Sequence, residues 1–248
     1  MISLSLLIPI LAVLLVSSFI RSSLGFGDAV IAMPLLAFLI GIRTATPLIA
    51  LLATTTAVTI LLKNWRQADF RSTLHLVLAS LAGIPFGLLF LKQVPENTMK
   101  IILGSIIAFY GIFNLLNPRL HAIRLPRIVT WLFGFIAGIL GGAYNTNGPP
   151  IVIYGHLRGW PPARFRATLQ GYFLPTGFLI LAGHGVSGFW TSRVIQLYLF
   201  AFPVVMLGIF LGGAANKRMP RRRFAGVINA ALVIMGLLLL ARSTAAIL

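Results

Sequence analysis

Leu140-Gly141-Gly142-Ala143-Tyr144-Asn145-Thr146-Asn147-Gly148-Pro149-Pro150-Ile151-Val152 is the stretch that decides the fold. Apolar residues run into it from one side and leave it on the other. Its centre holds glycines, three neutral polar residues and two prolines. Glycine permits an irregular backbone, and Pro149 suits the first turn of a new helix, where its missing N–H is not needed. The stretch therefore reads as a break between two short helices. A second break, Leu24-Gly25-Phe26-Gly27-Asp28, precedes an apolar run from Ala29 to Gly41 that contains Met33-Pro34-Leu35-Leu36.

The rest of the chain makes these breaks unusual. Of 248 residues, 58% are hydrophobic and 9% charged, against roughly 25% charged in a soluble domain. Mean hydropathy is +0.98, and a soluble core of this size cannot hide so much apolar surface. The class is all-α, a polytopic membrane protein with the lipid bilayer as its surroundings. The net charge of +17 does not point to nucleic acid: only Asp28, Asp69 and Glu96 are acidic, and most basic residues sit in short gaps between apolar runs. They read as topology signals. Absence of cysteine excludes disulfide scaffolds, cysteine zinc sites and thiol catalysis. The run from Leu4 to Ile20 lacks a charged leader and a clear cleavage site, so it reads as a retained first helix.

Breaking at Gly, Pro and charge clusters gives ten segments, near 3–20, 28–41, 46–63, 73–92, 98–117, 127–142, 149–157, 164–183, 194–213 and 223–241. The second, sixth and seventh are short, and at ~1.5 Å per residue they cannot all be full crossings of a ~30 Å hydrocarbon core. The chain also repeats. Gly25 to Leu36 aligns with Gly141 to Val152 at an offset of 116, and Gly87, Pro95 and Gly111 align with Gly208, Pro220 and Gly236. Residues 1–120 and 121–248 read as two copies of a five-segment unit. An odd number of segments inverts the second copy. With the N-terminus outside, the inner gaps hold 15 of the 20 basic residues, Arg21 among them, as the positive-inside rule requires. The expectation is a pair of inverted five-segment repeats with short broken or re-entrant helices, a recurring build of secondary transporters.

The candidate substrate-binding residues follow from the breaks. Helix starts at membrane depth present free N–H groups and a positive dipole end, which favour an anion. Gly25 and Gly27 shape the first break, and Asn145, Thr146, Asn147 and Gly148 supply the second. Approaching from opposite faces, the two meet near the centre. Arg166 and Gln170 share one face of the eighth segment, and a planar guanidinium suits a sulfonate or carboxylate; Arg166 also fits a plain interfacial anchor. Thr54 and Thr55, with Thr56, occupy the matching part of the third segment. Asp28 is the acid within an apolar stretch and the candidate proton-coupling residue; it also suits helix capping. His75, His121, His156 and His184 read as segment-end histidines without metal-ligand spacing. Gly83/Gly87, Gly138/Gly142 and Gly208/Gly212 fit small-xxx-small packing. Trp65, Trp131, Trp160 and Trp190 read as interface anchors, and Pro85, Pro175 and Pro203 as helix kinks. No metal or cofactor motif is found.

The glycine-rich break leading to Pro34-Leu35-Leu36, its repeat as Asn147-Gly148-Pro149-Pro150, and Phe165-Arg166-Ala167-Thr168 beyond it resemble the sulfite exporter TauE/SafE family of bacterial membrane proteins. The likeness covers nearly the whole chain, although the first break reads Gly-Phe-Gly-Asp where many members carry a denser glycine run. The resemblance implies transport of a sulfur-containing oxyanion, sulfite or an organosulfonate, across the cytoplasmic membrane. The expectation is a multi-pass inner-membrane secondary transporter exporting a small anion, coupled to protons. An anion channel is the first alternative and an intramembrane enzyme the second, but neither a nucleophile elbow nor a zinc-protease motif occurs. A homo-oligomer stays open.

Overall fold

The computed structural model describes residues 3–64, 70–116, 125–160, 162–215 and 221–245. Among these, the regular structure is ten α-helices: α1 (Leu4–Leu24), α2 (Asp28–Leu39), α3 (Ile42–Asn64), α4 (Phe70–Gln93), α5 (Glu96–Leu116), α6 (Arg127–Tyr144), α7 (Gly148–Leu157), α8 (Pro162–Val186), α9 (Ser192–Ala215) and α10 (Arg221–Ala245). Six of them, α1, α4, α5, α6, α9 and α10, have the length and apolar composition to cross a membrane. Segment six is therefore longer than its glycines suggested, with 18 residues. The short helices are α2 and α7, with 12 and 10 residues, or about 18 and 15 Å of rise.

Exposed Ile8, Phe86, Leu89, Phe109, Leu132, Leu199, Phe210 and Leu237 give the bundle an apolar exterior. In water such a surface is a liability; in hydrocarbon it needs no cover. Close association then depends on shape, and small residues supply it. Gly83 and Gly87 of α4 lie against the carbonyls of Phe135 and Ile139 on α6, and Gly138 and Gly142 answer against Ser80 and Ile84 on α4. On the other side, Gly208 and Gly212 of α9 lie against the carbonyls of Leu15 and Phe19 on α1. In both pairs the sequence numbers rise together, so the helices run parallel. The third close pair is α5 with α10, where a Cβ on Gly104 would stand 2.8 Å from the Gly236 carbonyl and one on Gly111 would stand 2.9 Å from the Asn229 carbonyl. Here one number rises as the other falls, so these helices are antiparallel.

These outer pairs enclose α2, α3, α7 and α8. Helix α3 packs against α8 and α9, α2 against α1, α3 and α10, and α7 against α6 and α8. The two short helices are thereby shielded from lipid, and most of their residues are buried. Pro85, Pro175 and Pro203 lie inside α4, α8 and α9. Trp131 and Trp190 are exposed near helix ends; Trp65 and His121 lie outside the described residues. His184 lies at a segment end as expected, in the last turn of α8, but not at the interface. It is fully buried in α8, and its Nε2 pairs with the Gly142 carbonyl at 3.0 Å.

Candidate functional site

The first break runs from Gly25, which caps α1 at φ 94°, to Gly27, which precedes α2 at φ 104°. Both angles lie in the left-handed region, where a side chain strains the backbone. The second break shares the left-handed cap but starts its helix from right-handed backbone, with Asn147 at φ -72°. Asn145 caps α6 at φ 54°, and Asn147 precedes α7. Asn145 is the one non-glycine in the left-handed region among the described residues, and Asn tolerates it better than most. By capping geometry Gly25 corresponds to Asn145 and Gly27 to Asn147, an offset of 120. Sequence matching had paired Gly25 with Gly141, one helical turn away.

Irregular backbone at this depth needs partners, and α6 finds them for its terminal carbonyls. The Asn145 N–H donates to the Gly141 carbonyl at 2.8 Å, and the Thr146 N–H to that of Leu140 at 3.2 Å. His184 takes up the Gly142 carbonyl and Thr46 Oγ1 donates to that of Ala143 at 3.2 Å. At the first break the Gly25 N–H donates to the Arg21 carbonyl at 2.6 Å, and Gln170 Nε2 donates to the Gly25 carbonyl at 3.2 Å.

Both breaks line a single small cavity, together with Arg21 of α1, Thr54 of α3 and Phe173 and Gly177 of α8. It leaves about 30 Å³ for the centres of water-sized molecules. Asp28, Ala29 and Val30, the first turn of α2, and Gly148, the start of α7, form part of its wall. The first N–H groups of a helix have no carbonyl partner within it, so two positive dipole ends converge on this space. Arg21 adds a full charge. Its side chain is 5% exposed and its Nη1 pairs with Asp28 Oδ2 at 2.5 Å, while the guanidinium stacks 5.7 Å from the Phe173 ring centre. Two buried polar atoms here lack a partner: Arg21 Nε and Thr146 Oγ1. Asn147 Nδ2 makes a long 3.4 Å contact to Thr176 Oγ1, and its side chain also bonds Tyr172. The cavity thus holds two unpartnered groups able to donate, with one carboxylate tied to its counter-ion.

Of the residues singled out from sequence, Gly27, Asp28, Thr54, Asn145, Thr146, Asn147 and Gly148 line this cavity. Gly25 and Gln170 stand behind the first break, joined to each other. Thr55 turns toward α9, where its hydroxyl pairs with Tyr198 at 3.0 Å. Arg166 lies on α8, one turn before Gln170, but its side chain is outside the described part of the structure. Sequence reading missed Arg21, which it counted as a loop charge. The structure puts it inside α1, buried and facing the cavity. Its signal was the placement of an arginine at the end of an apolar run seven residues before Asp28. Among the described residues no group of three His, Asp or Glu side chains is placed to hold a metal.

A larger cavity, with about 420 Å³ open to water, adjoins the first through shared Gly27 and Val30. Phe26, Tyr110, Asn114, Val152, His156, Phe165 and Asn229 are among the residues that line it.

Interrupted helices that close on a buried, donor-lined cavity inside a multi-pass bundle define a membrane transporter for a small polar solute. The chain belongs to the sulfite exporter TauE/SafE family, whose sequence model, described as "Sulfite exporter TauE/SafE", matches residues 10–239. It is 23% identical over 215 residues to the "Probable sulfite/organosulfonate exporter TauE" of Cupriavidus necator, covering 84% of each chain. It is 22% identical over 175 residues to the "Probable inner membrane transporter protein TsaS" of Comamonas testosteroni, covering 70% of this chain and 73% of that one. No solved structure gives a significant match. The family is one of transporters, which sets the intramembrane-enzyme alternative aside.

Proposed function

We propose that this chain is a secondary transporter of the inner membrane that exports a small sulfur-containing oxyanion, of the sulfite or organosulfonate class, coupled to protons at Asp28. The observation that carries this reading is the convergence of two helix starts and the Arg21 guanidinium on one cavity. Gly27, Thr54, Asn145, Thr146, Asn147 and Gly148 form the binding surface. Gln170 and Gly25 hold the first break in place, and Arg166 lies on the helix that carries Gln170. A sulfite ion matches the small inner cavity. An organosulfonate would set its sulfonate head there and its carbon tail in the larger, partly apolar cavity beyond Gly27 and Val30.

The helix arrangement supports two inverted repeats, residues 1–120 and 121–248. Exchanging α1–α5 with α6–α10 turns the α4–α6 pair into α9–α1 and leaves the α5–α10 and α3–α8 pairs unchanged. At residue level, an offset of 125 carries the Gly104–Gly236 contact into Asn229–Gly111, which is itself a contact. A relation in which i meets j and j's counterpart meets i's is the mark of a two-fold axis. Because α5 and α10 are antiparallel, that axis inverts the second copy.

With the N-terminus outside, the larger cavity opens inward, since it is formed by the ends of α1, α5 and α7 and the starts of α8 and α10. The counterpart region near Leu36, Ala45, Leu103 and Leu239 is fully buried. This asymmetry, open on one side and sealed on the other, favours a carrier over a channel. The test is flux of labelled sulfite, sulfoacetate and sulfate in proteoliposomes with and without a pH gradient. Saturable counterflow supports the carrier; conductive flux without counterflow supports the channel.

A further inference from the structure

We infer that Arg21 serves two anions in turn, the Asp28 carboxylate when the cavity is empty and the transported oxyanion when it is loaded, so that anion and proton cross together and net export follows the anion's own outward gradient. The inference rests on the transporter reading above and specifies its coupling. It begins from the ion pair. Arg21 is the cation on the wall of the inner cavity among the described side chains, and its Nη1 is engaged by Asp28 Oδ2 at 2.5 Å. Its Nε is buried without a partner. An entering oxyanion therefore meets a planar fork that is half taken by a fixed carboxylate. It gains the two parallel hydrogen bonds that a guanidinium offers only if that carboxylate withdraws.

Charge decides what withdrawal requires. With the cavity empty and Asp28 ionised, the pair is neutral. A monoanion added beside ionised Asp28 leaves one uncompensated negative charge, and a proton on Asp28 without the anion leaves Arg21 uncompensated. Both are strongly disfavoured in a buried site within a membrane. With both bound, the site is neutral again. The two neutral occupancies are the ones that exchange between the faces of the membrane. The proton comes from solution onto the Asp28 carboxylate as it leaves Arg21, the anion takes the freed guanidinium, and release reverses both transfers. No other bond changes.

Apart from Arg21, no ionisable side chain faces Asp28 among the described side chains. Its neighbours on α1 and α3 are Leu14, Ser17, Ser18, Ile49, Leu52, Ala53 and Thr56, and α9 contributes Val205. Across the cavity stand Asn145, Thr146 and Asn147, with Phe173 and Gly177 of α8. On the remaining helices packed near α2, the Tyr110 and His156 side chains line the larger cavity. Glu96 and Lys100 of α5 pair with each other at 2.8 Å, and Arg242 of α10 stacks on Phe38.

Calorimetry of sulfite and methanesulfonate binding to the purified full-length protein, in buffers of different ionisation enthalpy, tests the inference, with protons counted on methanesulfonate, which stays a monoanion where sulfite itself titrates. The wild type takes up about one proton per monoanion bound, and its affinity falls about tenfold per pH unit once Asp28 must be protonated to bind. Asp28→Asn, a fixed neutral mimic, binds without proton uptake and with a flat pH profile. Proton uptake that is absent in the wild type, or unchanged in Asp28→Asn, overturns the inference and leaves the transporter reading standing. The wild-type result decides alone if the variant does not fold. Binding of neither anion by the wild type, joined to no flux of any sulfur oxyanion in proteoliposomes, removes the transporter reading itself.

Discussion

Gln170 of α8 donates from Nε2 to the carbonyl of Gly25, 145 residues earlier, at 3.2 Å. A side chain from the second half of the chain thus holds the backbone break of the first, and its Oε1 has no partner. Removing that donor leaves a carbonyl at a helix end unsatisfied, which costs about 1–2 kcal/mol. Gln170→Ala should lower the thermal unfolding midpoint in detergent and slow anion flux, because the cavity wall at Gly27 loses its brace. A midpoint equal to that of the wild type would show that the carbonyl is satisfied in another way.

Asn145 separates a backbone role from a side-chain role. Its φ of 54° is available to glycine without cost and costs alanine about 1 kcal/mol. Asn145→Gly should match wild-type stability, and Asn145→Ala should be less stable. Both should lose transport if the carboxamide holds the anion. Transport retained in Asn145→Gly alone would assign the residue to the backbone, with no part in binding.

The glycine seam between α4 and α6 carries a stability prediction. Gly87 lies against the Ile139 carbonyl, and a Cβ there would also stand 2.8 Å from the Ala143 backbone nitrogen. Gly87→Val cannot be accommodated by moving a flexible side chain and should destabilise by about 3 kcal/mol or more. Gly226, with nothing within 4 Å, is the control: Gly226→Ala should leave the unfolding midpoint in place.

The chain contains no cysteine, so single-cysteine variants report access directly. Asn114→Cys and Asn229→Cys in the larger cavity should react with a membrane-impermeant maleimide from the cytoplasmic side. Leu103→Cys, at a fully buried position on the sealed side, should be protected until the protein turns outward. Labelling of Asn114→Cys from outside only would reverse the proposed orientation.

The ten-helix pattern was legible because hydrocarbon-length apolar runs are punctuated by Gly, Pro and charge. The break from Asn145 to Pro150 was legible for the same reason, since those residues have no place in an unbroken span. Arg21 was not. A charge at the end of an apolar run looks like a loop anchor until the fold turns it inward, and only a distant partner such as Asp28 reveals the difference. Thr54 and Thr55 show a similar limit: adjacent residues on a helix point about 100° apart, and the register that sends Thr54 to the cavity and Thr55 to Tyr198 is fixed by packing against α8 and α9. The four-residue shift between the sequence and geometric alignment of the breaks arises because glycines cluster inside the end of α6 but beyond the end of α1.

The central claim is that Arg21 and the two helix starts bind the transported anion, and labelled-sulfite counterflow in proteoliposomes tests it most directly. Arg21→Gln alone would strand a buried carboxylate, so the informative variant is the neutral pair Arg21→Gln with Asp28→Asn, compared with Asp28→Asn by itself. Loss of a charge-assisted contact predicts a fall of about ten- to a hundredfold for the double variant relative to the single one. Equal counterflow in the two variants, with both correctly folded, would contradict the account.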